Sequence, residues 1–257
     1  MTADEDVVTT KLRQQWDSLS RENAFHYIAS LKDKWEENDF LQSGEADVAE
    51  FVDPYLQQSQ FAPQGKRMLE IGCGVGRMTF ALAKRFGSVV ALDISEEMIK
   101  RALALQRKVG KGNIDFYVGN GRDLQFCAAG SVDFCFSYIV LQHIPNVPVV
   151  LNYVREIGRV LGDNGIFKIQ VNGYHRIKLP AGYYLLWGTC ATHRLREWNV
   201  YTRPHAKFGK LDGWGGVPIT KAELHATCSS AGLSCTSITG LGTQFMWVTG
   251  RKLPRSD

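Results

Sequence analysis

The chain has 257 residues, 44% of them hydrophobic, and a formal net charge of +4 at pH 7. This length and composition fit one α/β domain with additions, and the scattered Lys and Arg residues argue against a nucleic-acid-binding face. Because it has no signal-length apolar segment, no run of roughly 20 apolar residues and no C-x-x-C pair among its six cysteines, we expect a cytoplasmic protein without a membrane segment, disulfides or a metal site.

Residues 1–60 have apolar side chains at helical spacing over most of their length, including Trp16 and Phe40. This spacing predicts helices with a wide apolar face, which has to cover another part of the protein. Asp53-Pro54 is expected to start, stop or kink a helix within the segment.

Strands and helices alternate between about residues 66 and 171, which favours a parallel sheet with helices on both faces. The predicted strands lie at 68–71, 89–92, 114–118, 131–137 and 165–171. The predicted helices between them lie at 76–85, from 95 onwards, and at 149–161 with a stop at Gly162.

From residue 172 to 218 the pattern is irregular and rich in aromatic and imidazole side chains. Thr220-Lys-Ala-Glu223 is then a capping box that predicts a helix ending near Gly232. Residues 233–240 and 244–250 are predicted to form two strands joined by a short turn, which is an antiparallel hairpin.

The first strand of the alternating region runs into three glycines at alternate positions, Gly72, Gly74 and Gly76. Glycine permits positive φ angles and lets a ligand lie against the backbone. Asp93 stands at the carboxyl end of the next strand, where a carboxylate can accept hydrogen bonds from both hydroxyls of a ribose. The combination predicts a ligand that contains adenosine.

The spacing of the glycines separates two classes of adenosine ligand. A dinucleotide fold has G-x-G-x-x-G, whereas here Gly76 comes one residue early and Arg77 occupies the sixth position. Glu70, two residues before the glycines, the G-x-G-x-G turn and the distal Asp93 resemble motifs I and II of the class I S-adenosylmethionine methyltransferases. An NAD-dependent oxidoreductase is the weaker alternative.

The resemblance covers about residues 66–171 well and the rest loosely. It implies S-adenosylmethionine as cofactor and S-adenosylhomocysteine as product, on a doubly wound seven-stranded mixed α/β sheet whose strand ends hold the ligand. In related methyltransferases such N-terminal helices lie over the pocket, so residues 1–60 are predicted to be a lid on a domain of residues 61–257. Within this domain, 172–218 is predicted to be a substrate-recognition insertion. Packing of residues 1–60 as ordinary core remains the alternative.

The implied cofactor site consists of Glu70, Gly72, Cys73, Gly74, Asp93, Ile94, Met98, Asn120, Gly121, Arg122, Ser137 and Gln142. Glu70 would orient the methionine end and Asp93 would hold the ribose. Met98 either covers the adenine face with its thioether or belongs only to the core. Asn120 stands where the family commonly has Asp, so its contact to the adenine amino group lacks a charge.

The acceptor side is implied by the segment after the fourth strand and by aromatic residues elsewhere. His143 is the candidate catalytic residue, either as a base that removes a proton from a hydroxyl or amine or as a positioning group, since alignment alone accelerates methyl transfer. The predicted substrate-binding residues are Trp16, Tyr27, Trp35, Tyr174, His175, Tyr183 and Trp187. An aromatic wall suits a planar or cationic acceptor.

These features predict an enzyme that transfers a methyl group to a nucleophilic O or N of a small-molecule acceptor, as a monomer or homodimer. A cofactor-binding protein without transferase activity would keep the glycines, Glu70 and Asp93 and have a closed acceptor pocket. An RNA or protein methyltransferase is a further alternative, although no N-P-P-Y-type acceptor motif follows the fourth strand.

Overall fold

A seven-stranded mixed sheet organises the part of the chain that the computed structural model describes, namely residues 3–110, 112–173 and 216–254. The strands are β1 Arg67–Ile71, β2 Ser88–Asp93, β3 Ile114–Val118, β4 Val132–Ser137, β5 Leu161–Val171, β6 Leu233–Thr239 and β7 Met246–Lys252. The helices are α1 Ala3–Ile28, α2 Glu37–Phe51, α3 Asp53–Gln58, α4 Thr79–Leu82, α5 Glu96–Val109, α6 Val147–Val160 and α7 Lys221–Ser230.

The strand order is β3-β2-β1-β4-β5-β7-β6, in which β7 is antiparallel to both β5 and β6. The other neighbouring pairs are parallel. The predicted doubly wound seven-stranded mixed sheet is therefore confirmed, together with its final hairpin. The order reverses between β1 and β4, which opens a crevice at the carboxyl ends of these strands where ligands bind in such sheets.

Apolar side chains fill the space on both faces of the sheet. One layer packs α6 and α7 against it and includes Phe167 and Ile157, while the other packs α2, α3 and α4 against it and includes Phe134 and Phe136. The central strands are buried on both faces, as their near-continuous apolar sequences predict.

Two elements differ from the sequence predictions at their ends. The helix after the glycines, α4, is a single turn that begins at Thr79, because Gly76 has a φ of 91°, outside the right-handed helical region, and cannot start it. The fifth strand begins at Leu161 instead of 165, since Leu161 is extended and pairs with Val132 of β4 immediately after α6 ends.

The N-terminal helices attach to the rest of the protein at two places. In α1, Asp17 Oδ1 accepts hydrogen bonds from the Ser95 hydroxyl (2.6 Å) and from the Glu97 amide (3.2 Å), at the start of α5. A kink at Asn23, with φ −163° and ψ 82°, separates this part of α1 from its last turn. None of the helices in the described ranges has the length and apolarity needed to cross a membrane.

The second attachment is the packing of α2 and α3 on the sheet. Arg85, just after α4, binds Asp53 through Nε and one terminal nitrogen (both 2.7 Å) and Glu45 through the other (2.8 Å). The buried Tyr55 hydroxyl lies 3.0 Å from the carbonyl oxygen of Phe167 and 2.9 Å from that of Gly250, which are paired residues of β5 and β7. The N-terminal segment is thus joined to both halves of the sheet.

We predict that Tyr55→Phe lowers the free energy of unfolding by about 1–2 kcal/mol, because two buried carbonyl groups lose the single hydroxyl proton that they share. Urea unfolding followed by circular dichroism measures the change. Tyr117→Phe, which removes a hydroxyl from a partly exposed side chain on β3, is the matched control. Equal stabilities of the two variants would contradict the proposed role of Tyr55.

A candidate cofactor and acceptor cavity

A cavity of about 680 Å³ lies over the carboxyl ends of the central strands. Its described walls come from the glycine loop after β1, the end of β2, the segment after β4, and parts of α1, α2, α6 and the β6–β7 turn. The predicted cofactor residues that line it are Glu70, Gly72, Cys73, Gly74, Asp93, Ile94, Met98, Gly121 and Gln142. This volume is within the range of small-molecule sites.

The glycine loop bends sharply toward the end of β2. The amides of Gly72 and Cys73 both donate to the carbonyl oxygen of Leu92, at 2.7 and 2.9 Å. Gly72 has a φ of 79°, and a Cβ there would collide with Val140. Gly74 has a φ of 55°, and a Cβ there would lie 2.7 Å from the side chain of Ile28. Both positions therefore require glycine for conformation and for space.

Asp93 connects the glycine loop to the start of α5. Its Oδ2 accepts from the Gly74 amide and its Oδ1 from the Ser95 amide, both at 2.9 Å. Burial raises the pKa of Asp93 to about 6, despite these hydrogen bonds. A carboxylate oxygen can accept more than one hydrogen bond, so Asp93 retains acceptor capacity toward the cavity that it lines.

Glu70 is a second buried carboxyl group on the same wall. Its Oε2 accepts a hydrogen bond of 2.6 Å from the Thr79 hydroxyl at the start of α4. Burial raises the pKa of Glu70 to about 7, with Thr79 and Arg77 acting in the opposite direction. A buried carboxylate of this kind is stabilised by a cationic ligand group, and the ammonium of a methionyl moiety fits this requirement.

Met98 lies both in the core and on the cavity wall. It is fully buried and packs in a cluster with Phe40 and Val75, and it also lines the cavity beside Ile94 and Gly121. Its Nα–H is held by the Ser95 hydroxyl (3.1 Å), which caps α5. The two interpretations of Met98 are therefore compatible.

Three predicted cofactor residues, Asn120, Arg122 and Ser137, are not among the described residues that line the cavity. The Asn120 side chain folds back on its own turn, since its Oδ1 accepts from the amides of Arg122 (2.8 Å) and Asp123 (3.0 Å). Its amide nitrogen donates to Asp123 at 2.7 Å. The Ser137 hydroxyl donates to the carbonyl oxygen of Ile71 at 3.0 Å. Their contacts with a cofactor stay predictions.

The candidate acceptor residues after β4 are buried. Gln142 and His143 form a 3-10 turn and line the cavity, and the His143 ring lies edge-on to that of Trp16, with 6.5 Å between centroids. Gln142 Oε1 has no hydrogen-bond partner in the described part of the protein. Buried polar atoms without a partner are uncommon in folded proteins, so a hydrogen-bond donor from a ligand would satisfy this oxygen.

The predicted substrate-binding residues separate into three groups. Trp16 and Tyr27 line the cavity. Trp35 instead packs against Phe40, with 5.8 Å between ring centroids, and donates from Nε1 to the carbonyl oxygen of Ala29 at 2.8 Å. The remaining predicted residues, Tyr174, His175, Tyr183 and Trp187, lie outside the described residues. Among the residues that are described, no cluster of three or more potential metal ligands occurs.

Sequence reasoning did not identify the ion pair of Arg77 with Asp47 on the cavity wall. Arg77 donates to Asp47 Oδ2 at 2.6 Å and to the Ser43 hydroxyl at 3.3 Å. The available signal was the position of Arg77 directly after the glycine motif. However, the sequence offers several acidic residues in α2, and only the packing of α2 on α4 selects Asp47.

Comparisons with known proteins agree with this geometry. Residues 69–169 match the family model described as a methyltransferase domain. The biotin biosynthesis bifunctional protein BioHC of Cellvibrio japonicus is 38% identical over 42% of this chain and 20% of its own length. The ubiquinone biosynthesis O-methyltransferase of Xanthomonas axonopodis is 29% identical over 71% of this chain and 69% of its own length. The chain spans less than two thirds of the length of several curated relatives.

The fold also matches solved structures. Magnesium protoporphyrin IX methyltransferase from Synechocystis, solved with bound S-adenosylhomocysteine, superposes with a TM-score of 0.61 at 16% identity, over 95% of this chain and 99% of that one. The family match, the strand order and the glycine loop beside two buried carboxyl groups agree with one another. Residues 69–169 therefore form a methyltransferase domain, on a fold shared with solved S-adenosylmethionine-dependent methyltransferases.

Proposed function

We propose that this protein transfers a methyl group from S-adenosylmethionine to a nucleophilic O or N of a small-molecule acceptor. The observation that carries the proposal is that one cavity has a wall suited to the cofactor and a wall suited to an acceptor. The glycine loop, Glu70 and Asp93 form one side, and Trp16 and His143 form the other. A cofactor and an acceptor bound in the same cavity can be aligned for direct transfer.

On the cofactor side, the residues fit the three parts of the ligand. Asp93 accepts hydrogen bonds from the ribose hydroxyls, Glu70 receives the methionyl ammonium, and Met98 lies against the adenine. Gly72 and Gly74 bring the backbone close because neither position has room for a side chain. The cofactor supplies a methyl group bound to a positively charged sulfur. When the methyl group is transferred, S-adenosylhomocysteine leaves as a neutral thioether, which is a good leaving group.

On the acceptor side, aromatic residues enclose the space beside the cofactor. Trp16 and Tyr27 of α1, Tyr138 after β4 and Phe245 in the β6–β7 turn line the cavity from three segments of the chain. Such a wall excludes water and holds a planar or apolar acceptor, while the few polar groups fix its orientation. The names of the relatives, which refer to biotin and ubiquinone biosynthesis, support a small-molecule acceptor.

The N-terminal helices form the lid of this cavity in the proposal. Ile28, the last residue of α1, contacts Gly74, so α1 ends directly above the glycine loop. Trp16 covers His143 from the same helix. The predicted substrate-recognition insertion, residues 172–218, lies mostly outside the described residues, and its part in the acceptor site stays a prediction.

The test is a screen of hydroxyl- and amine-bearing metabolites with S-adenosylmethionine, read by S-adenosylhomocysteine release and by product mass. Asp93→Ala is expected to weaken cofactor binding by at least about tenfold, because each hydrogen bond from the ribose to a charged acceptor contributes about 1.5–3 kcal/mol. Asp115→Ala, an exposed carboxylate on the neighbouring strand β3, is the control that leaves binding unchanged.

Two outcomes would contradict the proposal. Unchanged cofactor affinity in folded Asp93→Ala would remove the ribose contact. Cofactor binding with methylation of RNA or protein, and of no metabolite in the screen, would exclude a small-molecule acceptor.

The raised pKa of Glu70 predicts that the affinity for S-adenosylhomocysteine falls as the pH decreases through about 7. The ionised form of Glu70, whose pKa is about 7, binds the ammonium, so binding releases a proton and the affinity decreases up to about tenfold per pH unit. Asp93, with a pKa of about 6, adds a second decrease at lower pH. Calorimetry between about pH 8 and pH 5.5 measures both.

Glu70→Gln is expected to remove only the upper part of this pH dependence. Binding of 5′-methylthioadenosine, which lacks the amino-acid end, should not depend on Glu70. The stability of the ligand-free protein depends on pH with the opposite sign. The protonated carboxyl groups of Glu70 and Asp93 stabilise the fold fully below their ordinary pKa values of 4.5 and 3.8. This contribution is lost as the pH rises through their raised pKa values of about 7 and 6. A pH profile identical in wild type and Glu70→Gln would contradict the assignment.

For His143 we propose a positioning role, because its ring is packed against Trp16 and alignment supplies much of the acceleration. We expect His143→Ala to raise the acceptor KM about tenfold, to lower kcat by less than about tenfold, and to keep the acidic limb of the wild-type pH profile. His225→Ala, an exposed histidine on α7, is the control. Loss of the acidic limb together with about a hundredfold of kcat would identify a general base instead.

A further inference from the structure

We propose that Arg77 is a carboxylate-binding residue of the cavity, which receives the carboxylate of the methionyl end of the cofactor or of the acceptor. The inference rests on the proposed function and assigns a ligand group to a side chain that the family motif does not specify. Three observations carry it: the donors that Arg77 leaves unused, the way α2 holds the guanidinium, and the contrast with Arg85.

Arg77 lines the cavity with a residue exposure of 8% and leaves part of its hydrogen-bonding capacity unused. One terminal nitrogen donates to Asp47 Oδ2 at 2.6 Å, and the other donates to the Ser43 hydroxyl at 3.3 Å. Its Nε has no hydrogen-bond partner in the described part of the protein. A guanidinium binds carboxylates best through two parallel N–H donors, and the single contact to Asp47 leaves one such edge incomplete.

Helix α2 fixes the position of Arg77. Gly44 lies against the backbone carbonyl of Arg77 so closely that a Cβ would collide with it, and Asp47 one turn later holds the guanidinium. The Asp47 side chain is 26% exposed and that of Arg77 is 9% exposed, so water screens the carboxylate more than the guanidinium. A preorganised, buried cation remains available to a second carboxylate.

Arg85 shows what a purely structural arginine looks like in the same pair of helices. It also joins the α4 region to α2 and α3, but all three of its nitrogens are used, toward Asp53, Glu45 and the Ala81 carbonyl oxygen. Each nitrogen of Arg85 therefore has a partner, whereas Nε of Arg77 has none in the described part of the protein. The difference coincides with their places, since Arg77 lines the cavity and Arg85 is not among its described lining residues.

Tyr138 adds a neutral donor beside this position. It lines the same cavity, and burial raises its pKa to about 12, so it keeps its hydroxyl proton at neutral pH. Its ring is fixed by stacking on Trp247, with 5.4 Å between centroids and 5° between planes. A ligand carboxylate between Arg77 and Tyr138 would accept from both side chains.

The test compares Arg77→Met with Arg85→Met in the full chain, using two ligands that differ in the carboxylate-bearing end. Calorimetry measures S-adenosylhomocysteine and 5′-methylthioadenosine, which has no amino acid. If Arg77 binds the methionyl carboxylate, Arg77→Met lowers the affinity for S-adenosylhomocysteine about 10- to 100-fold. It lowers the affinity for 5′-methylthioadenosine less than about twofold. Arg85→Met leaves the ratio of the two ligand affinities unchanged.

A second arm covers the acceptor as the source of the carboxylate. With S-adenosylhomocysteine bound, 4-hydroxybenzoate and 4-hydroxybenzamide are compared as probes. If the acceptor supplies the carboxylate, Arg77→Met leaves cofactor affinity unchanged and abolishes the preference for the benzoate. Should Arg77→Met fail to fold, Arg77→Lys keeps a cation for Asp47 without Nε and shows the same selective loss at smaller size.

The inference is overturned if neither arm shows a carboxylate-dependent loss, or if Arg77→Met and Arg85→Met weaken both cofactor ligands equally. Wild-type binding is measured first, which separates the two hypotheses. A wild-type protein that does not bind S-adenosylhomocysteine overturns the proposed function and this inference together. If the wild type binds S-adenosylhomocysteine and Arg77→Met changes neither the cofactor affinity nor the preference for the benzoate, the inference alone is overturned.

Discussion

The carboxylate of Asp93 connects three segments of the protein at the carboxyl end of β2. One oxygen holds the amide of Gly74, and the other holds the amide of Ser95 at the start of α5. The Ser95 hydroxyl in turn donates to Asp17 of α1. The shape of the glycine loop, the start of α5 and the docking of the N-terminal helix therefore depend on one network. Replacing Asp93 therefore affects the loop, the start of α5 and the docking of α1, in addition to any contact with a ligand.

Two side chains that join the N-terminal helices to the rest of the protein use their donors within the fold, whereas several polar groups on the cavity wall do not. Tyr55 and Arg85 use their donors within the fold. In contrast, Gln142 Oε1 and Arg77 Nε have no partner in the described chain, and burial raises the pKa of Glu70 to about 7. Such groups cost stability in the free protein, and a ligand with complementary charges relieves that cost.

The alternation of strands and helices, the final hairpin and the place of the glycine loop beside Asp93 were predictable because they depend on local patterns. Buried parallel strands have continuous apolar sequences, and Gly72, Gly74 and Asp93 have fixed spacings along the chain. The start of the helix after the glycines was less predictable, since the φ of Gly76 is set by the turn. Likewise, Leu161 joins β5 because of its pairing with β4, a contact between distant residues.

The sequence by itself determined the sheet and the place of the glycine loop beside Asp93, because each motif is short and its parts are brought together by consecutive elements. Only the tertiary structure decided which side chains meet across segments. Examples are Trp16 against His143, and Asp47 rather than another acid of α2 beside Arg77. It also turned the Asn120 side chain toward its own turn. These choices depend on how α1 and α2 pack on the sheet, and packing between distant segments leaves no periodic signal in a single sequence.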